Sequence, residues 1–279
     1  SPSSTEQSRV VQNIRVVSEN TGNGIAMLLI MFCSASYYAE VFNVIGVTFM
    51  LLTFSALKLL LPLKSIQPDK TNISKNLNKK EKTFKKTQFF NSIASVLLIG
   101  LVFGFQKICY PLAMHSYFSS TVLIGLLFAI DPFFIAFSSL KINNYFKELS
   151  PPILMALGSI LMAAGTLMLA NFQSISMIIF STLIFLTGEI LFMPSSQVFT
   201  NESVPTNKEG FAVNLRKAAF TSGGMLGAWG AGYILEHYSY FASWSISSVF
   251  SVCSFILLVF STGQSGIFIE GYTNATSKK

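Results

Sequence analysis

The chain has 279 residues, 51% of them hydrophobic and only 11% charged, with 27 Phe. An ordinary soluble domain carries about 25% charged residues, so this composition is that of a membrane protein. Its net charge of +7 lies in short polar connectors instead of the clustered patch a nucleic-acid surface needs, which excludes nucleic acid as a partner and makes the lipid bilayer the expected one.

The sequence opens SPSSTEQSRV, without an initiator Met, a charged n-region or a cleavable apolar stretch. A signal peptide is therefore not expected, and further sequence upstream is. A span needs about 20 mostly apolar residues. Stretches 22–39, 41–63, 89–114, 119–140, 151–171, 174–199, 209–235 and 240–262 qualify, all as helices, because lipid satisfies no free backbone group. The first has a polar face of Asn20, Thr21 and Asn23, with Glu19 beside it. Between the second and third lies PLKSIQPDKTNISKNLNKKEKTFKK, residues 62–86, and the basic linker taken over 64–88 is cytoplasmic by the positive-inside rule. Alternate connectors then hold Lys141 and Lys147, and Lys208, Arg216 and Lys217, while the opposite ones hold neither Lys nor Arg. Both ends of the chain, including the tail 263–279, are expected in the cytoplasm. The sequons NIS, NES and NAT fall on that side and receive no glycosylation role.

The third span carries Gln106, Lys107, Tyr110 and Pro111, and the fourth carries Asp131 followed by Pro132. Proline removes a backbone donor and strains the preceding turn, so an acid there suits either a gating element or a local cap of the broken helix. Lys107 either snorkels to the headgroups or pairs with an acid across a cavity. The sixth span contains GEILFMPSSQ, with Glu189 and Pro194 inside the apolar run. A charge at that depth costs roughly 2.5 to 3.5 kcal/mol, which marks it as a candidate for ion or substrate handling, against a structural hydrogen bond. In the seventh, Gly223 and Gly227 stand at the spacing that lets helix backbones approach, for packing or for sliding. Phe105, Tyr110, Phe128, Phe133, Phe134 and Phe192 supply aromatic surface near the acids.

NIRVVSENTGNG from Asn13 resembles NLRKAAFTSGGM from Asn214, so that Asn13/Asn214, Arg15/Arg216, Gly22/Gly223 and Tyr37/Tyr238 share the offset 13 to 214. Six predicted spans separate the two starts, which makes a parallel six-span repeat; Arg15 and Arg216, with Gly223, Gly227, Pro132 and Pro194, are assigned to helix packing or gating. Twelve spans in two parallel halves joined by a basic linker, together with GEILFMPSSQ and VPTNKEGFAVNLRKAAFTSGGMLGAWGAGYILE, resemble the major facilitator superfamily, and its multidrug:proton antiporters in particular. The resemblance covers residues 9–262 and implies an all-α polytopic fold. Residues 1–63 would be the last two spans of the first half and 89–262 the whole second half, with four further spans preceding them. It implies that Glu189 matches the carboxylate which contributes to proton coupling or cation recognition in such antiporters. The third span departs from the pattern, with Gln106 and Lys107 where some multidrug relatives have an acid.

The function expected is proton-coupled efflux of small amphiphilic or drug-like molecules by alternating access, in a bacterial inner membrane and as a monomer once the preceding spans are present. Glu189, Asp131 and Lys107 would bind protons or substrate, with Asn20, Asn23, Gln106 and Tyr110 lining the cavity. The alternatives are a proton-coupled nutrient or peptide symporter and, from another class, a non-transporting receptor or assembly subunit. An enzyme is not expected. His115 and His237 have no nucleophile pattern beside them, and no phosphate-cradling glycine loop occurs. Cys33, Cys109 and Cys253 stand singly, so no metal site, disulfide framework or cofactor is expected.

Overall fold

The computed structural model describes residues 84–146, 148–171 and 174–263, with isolated earlier positions. Arg15, Glu19, Asn20, Asn23, Cys33, the first two predicted spans, most of the basic linker and the tail beyond residue 263 lie outside the described residues. Those described form helices and no strand: α1 Lys86–Tyr117, α2 Thr121–Tyr145, α3 Pro151–Asn171, α4 Ile175–Glu202, a 3-10 turn Thr206–Lys208, α5 Glu209–His237 and α6 Tyr240–Gly263.

The boundaries have local causes. Ser120 caps α2 by accepting the Leu123 N–H at 3.3 Å, and Ser239 does the same for α6 with Ala242 at 3.2 Å. Pro151 and Pro152 open α3, where a missing N–H costs nothing. Glu209 stands in the first turn of α5, at the positive end of its dipole. Each helix coincides with one of the last six predicted spans, and the main difference is α2, which runs five residues past its expected end at 140. The polar residues KINNY end the hydropathy signal there, yet helical hydrogen bonds continue wherever water or headgroups can receive the side chains. Helices α1, α2, α3, α4 and α6 are long and apolar enough to cross a membrane. Helix α5 is as long but is diluted by its glycines.

Packing is dense along two seams. Helices α1 and α5 run parallel, with Gly100 against Gly223 and Gly104 against Gly227, so close that a methyl group on Gly227 would overlap the backbone of Leu101. Helices α3 and α4 run antiparallel, and a methyl group on either Gly158 or Gly188 would meet the carbonyl oxygen of the other. Small residues serve here because lipid gives helices no hydrophobic reason to associate and close van der Waals contact must supply the attraction. Among the described residues the partner of Gly223 and Gly227 is α1.

Helix α6 binds to α1 and α3 through serines. Ser254 shares hydrogen bonds with Ser95 at 2.5 Å and Ser159 at 3.0 Å, and Ser248 donates to the Ala163 carbonyl at 3.0 Å. Around this trio lie Val96, Met155, Met162, Phe185, Phe192 and Leu258, all fully buried. A second cluster forms about Phe105, Cys109, Met114, Ile178 and Trp244.

Gly227→Leu is expected to destabilise the purified protein by about 1–3 kcal/mol or more through overpacking, read as a lower melting temperature in detergent. Gly232 has nothing within 4 Å of its missing side chain, so Gly232→Ala should melt at or above the wild-type temperature, alanine being the better helix former.

Candidate functional site

Helices α1, α2 and α4 diverge around a cavity of about 600 Å³, within the range of small-molecule sites. From α1 come Phe103, Gln106, Lys107, Tyr110 and Pro111, the i, i+3, i+4, i+7, i+8 pattern of one helix face. From α2 come Leu127, Phe128, Asp131, Pro132 and Ile135, again one face. Thr182, Glu189 and Met193 of α4 and Phe220 of α5 complete the wall.

Two hydrogen bonds fix the register of α1 against the antiparallel α4. Ser92 meets Thr200 at 2.7 Å and Tyr110 meets Thr182 at 3.4 Å, rungs 18 residues apart on each helix (92 to 110, 182 to 200). Glu189 stands seven residues from Thr182, level with Phe103, and therefore one turn, about 6 Å, from the level of Lys107. On α2 the Phe128 ring meets Tyr110 edge-on at 5.4 Å. Three residues further on each antiparallel helix, Asp131 comes level with Lys107.

Glu189 is half-buried and its exposure is to the cavity. Asp131 and Lys107 are both near enough to act on it electrostatically. No hydrogen bond or ion pair ties Glu189, Asp131 or Lys107 to another described residue. In a low-dielectric interior a charge is tolerable when paired, neutralised or hydrated, and the cavity leaves all three open. The prolines add acceptors. Pro111 and Pro132 lack the N–H that would bond the carbonyls of Lys107 and Phe128, four residues earlier at the same wall.

At the Thr200 end, the Arg216 guanidinium donates through Nη1 to Ser196 Oγ at 3.1 Å and links α5 to α4. Its Nε is buried without a hydrogen-bond partner among the described residues. Phe220, one turn along α5, packs edge-on against Phe103 at 5.3 Å and forms the floor there.

The structure thus brings Gln106, Lys107, Tyr110, Asp131, Pro132 and Glu189 to one cavity. Pro194 follows Met193 on α4 but does not line it. Gly223 and Gly227 lie in the α1 seam. Of the expected aromatics only Tyr110 and Phe128 reach the cavity, since Phe105 and Phe192 are buried in the core, Phe134 packs against that core and Phe133 stacks on the exposed Phe137. Thr182, Phe103, Met193 and Phe220 were not singled out from the sequence. Thr182 was findable, because it precedes Glu189 by two helical turns on the same face. His115 and His237 are exposed near the ends of α1 and α5, far along their helices from the acids. Among the described residues no three metal-ligating side chains gather.

A family model described as Major Facilitator Superfamily matches residues 92–267, more than half of the chain. No curated protein and no solved structure shows significant similarity to it.

In a background with the three native cysteines replaced, Gln106→Cys and Met193→Cys should react with a water-soluble maleimide at least about tenfold faster than Phe192→Cys, accessibility governing thiol reactivity. Equal rates would show that the cavity is closed to water.

Proposed function

The chain belongs to the Major Facilitator Superfamily and is a membrane transporter, and on that premise we propose that it exports small amphiphilic molecules in exchange for protons. The observation that carries this reading is the pair of carboxylates, Glu189 and Asp131, unpaired and one turn apart on the wall of one cavity. Each acid can hold a proton and each can hold a cation, and the two loads compete for the same oxygens. Protons delivered from one side displace substrate taken from the other, which couples the proton gradient to export when the cavity opens alternately to each side. Tyr110, Phe128, Phe103 and Phe220 offer the apolar and π surface that an amphiphile needs. Space beside Glu189 supports transport over a receptor or assembly role, for which a dry, packed acid would suffice.

Lys107 favours a second reading, proton-coupled uptake of a nutrient or peptide, because an ammonium on the wall can receive a carboxylate. In either case the protein acts in a bilayer, with both ends of the chain on the cytoplasmic side of a bacterial inner membrane, and as a monomer together with preceding spans. On the same reading Asn20 and Asn23 of the first predicted span contribute to the cavity lining, and Arg15 and Arg216 serve helix packing or gating.

Glu189→Gln keeps the shape and removes the charge. In proteoliposomes of the full-length protein it should reduce pH-driven substrate movement to background while stability changes by less than about 1 kcal/mol, since no hydrogen bond of Glu189 is lost. Unchanged pH-driven transport would rule out Glu189 as the coupling site.

A further inference from the structure

We propose that Lys107 sets the charge class of the substrate, admitting organic monocations and excluding dications. This rests on the export reading above and adds to it a residue that determines specificity. Among the described residues that line the cavity, the charged ones are Lys107, Asp131 and Glu189. With both acids deprotonated and ready for substrate, they leave one net negative charge. Without the lysine they would leave two.

The position of Lys107 makes it a neutraliser of this kind. It is level with Asp131 and one turn from Glu189, within the span of its own four-carbon stem, and it is fixed to neither by an ion pair. An ammonium beside the acids but bound to neither cancels one charge and leaves their oxygens open to the substrate's cation. An entering monocation meets the remaining charge, the ring faces of Tyr110 and Phe128 and the carbonyl freed at Phe128 by Pro132. A dication brings a second charge that the described wall does not balance. An anion approaching Lys107 meets two carboxylates within the same turn, so anion capture is the weaker use of this lysine.

The test uses the full-length protein and equilibrium binding of tetraphenylphosphonium, an aromatic monocation, and methyl viologen, an aromatic dication, with 2-naphthoate as an anionic probe. The wild type should bind tetraphenylphosphonium in clear preference to methyl viologen. Lys107→Gln should raise the relative affinity for methyl viologen by roughly tenfold or more, the order expected for one charge removed at this separation in a partly screened cavity. Lys107→Arg should keep the wild-type ratio. Lys107→Gln combined with Asp131→Asn restores the net charge and should restore the wild-type ratio too, which a purely structural role for Lys107 would not produce. Lys107 is exposed to the cavity, and Lys107→Met offers a second charge-free variant if the glutamine form is poorly folded. If tetraphenylphosphonium binds and exchanges for protons but the ratio stays fixed in both charge-free variants, the inference is overturned and the export reading stands. Binding of 2-naphthoate by the wild type and its loss in Lys107→Gln overturns the inference in favour of anion capture. If folded wild type and variants bind neither cation, the export reading itself falls.

Discussion

Hydrocarbon offers no hydrogen bond, and this fold is arranged around that one lack. Every backbone group must be satisfied within its own helix, which dictates helices throughout the described residues. Every polar side chain must find a partner on a neighbouring helix or on its own preceding turn. Many serines and threonines do so: Ser92 with Thr200, Ser95 and Ser159 with Ser254, and Thr166, Thr187 and Ser203 with carbonyls three or four residues back. Against this background Glu189, Asp131 and Lys107 stand out as charged side chains that share the wall of one cavity without an ion pair among the described residues.

The two glycine seams determine where that place is. Close contact of α3 with α4 and of α1 with α5 brings backbones together on both sides, and the serine trio fastens α6 across α1 and α3. Helix α2 is held most lightly, chiefly by α4, and it contributes the acid-proline pair. The cavity therefore lies between a tightly joined group and a loosely joined helix, with α1 supplying its cation, α2 one acid and α4 the other.

Much of this was legible in the sequence because lipid makes hydropathy a direct record of depth. Span limits fell within a few residues of the helices, and Glu189 and Asp131 stood out because an acid in an apolar run is conspicuous in any order of neighbours. The aromatic wall was not legible. With 27 Phe in the chain, nothing local separates Phe103 and Phe220, which line the cavity, from Phe105 and Phe192, which are sealed in the core. That difference depends on the rotation of each helix about its axis, which its packing partner sets. The role of Gly223 and Gly227 was hidden for the same reason: the spacing reveals that a helix approaches, not which one. Thr182 was recoverable from periodicity, since the face that carries Glu189 passes through it two turns earlier.

The separation of the serine trio from the cavity has an evolutionary consequence. The serine hydrogen bonds and glycine contacts that hold the helices together use side chains that do not line the cavity, and none of the hydrogen bonds described between helices involves Lys107, Asp131 or Glu189. Replacements of these three charged residues are thereby expected to disturb folding little. A lineage with this scaffold can exchange its charged residues one at a time, drifting among cargoes without passing through an unfolded intermediate sequence.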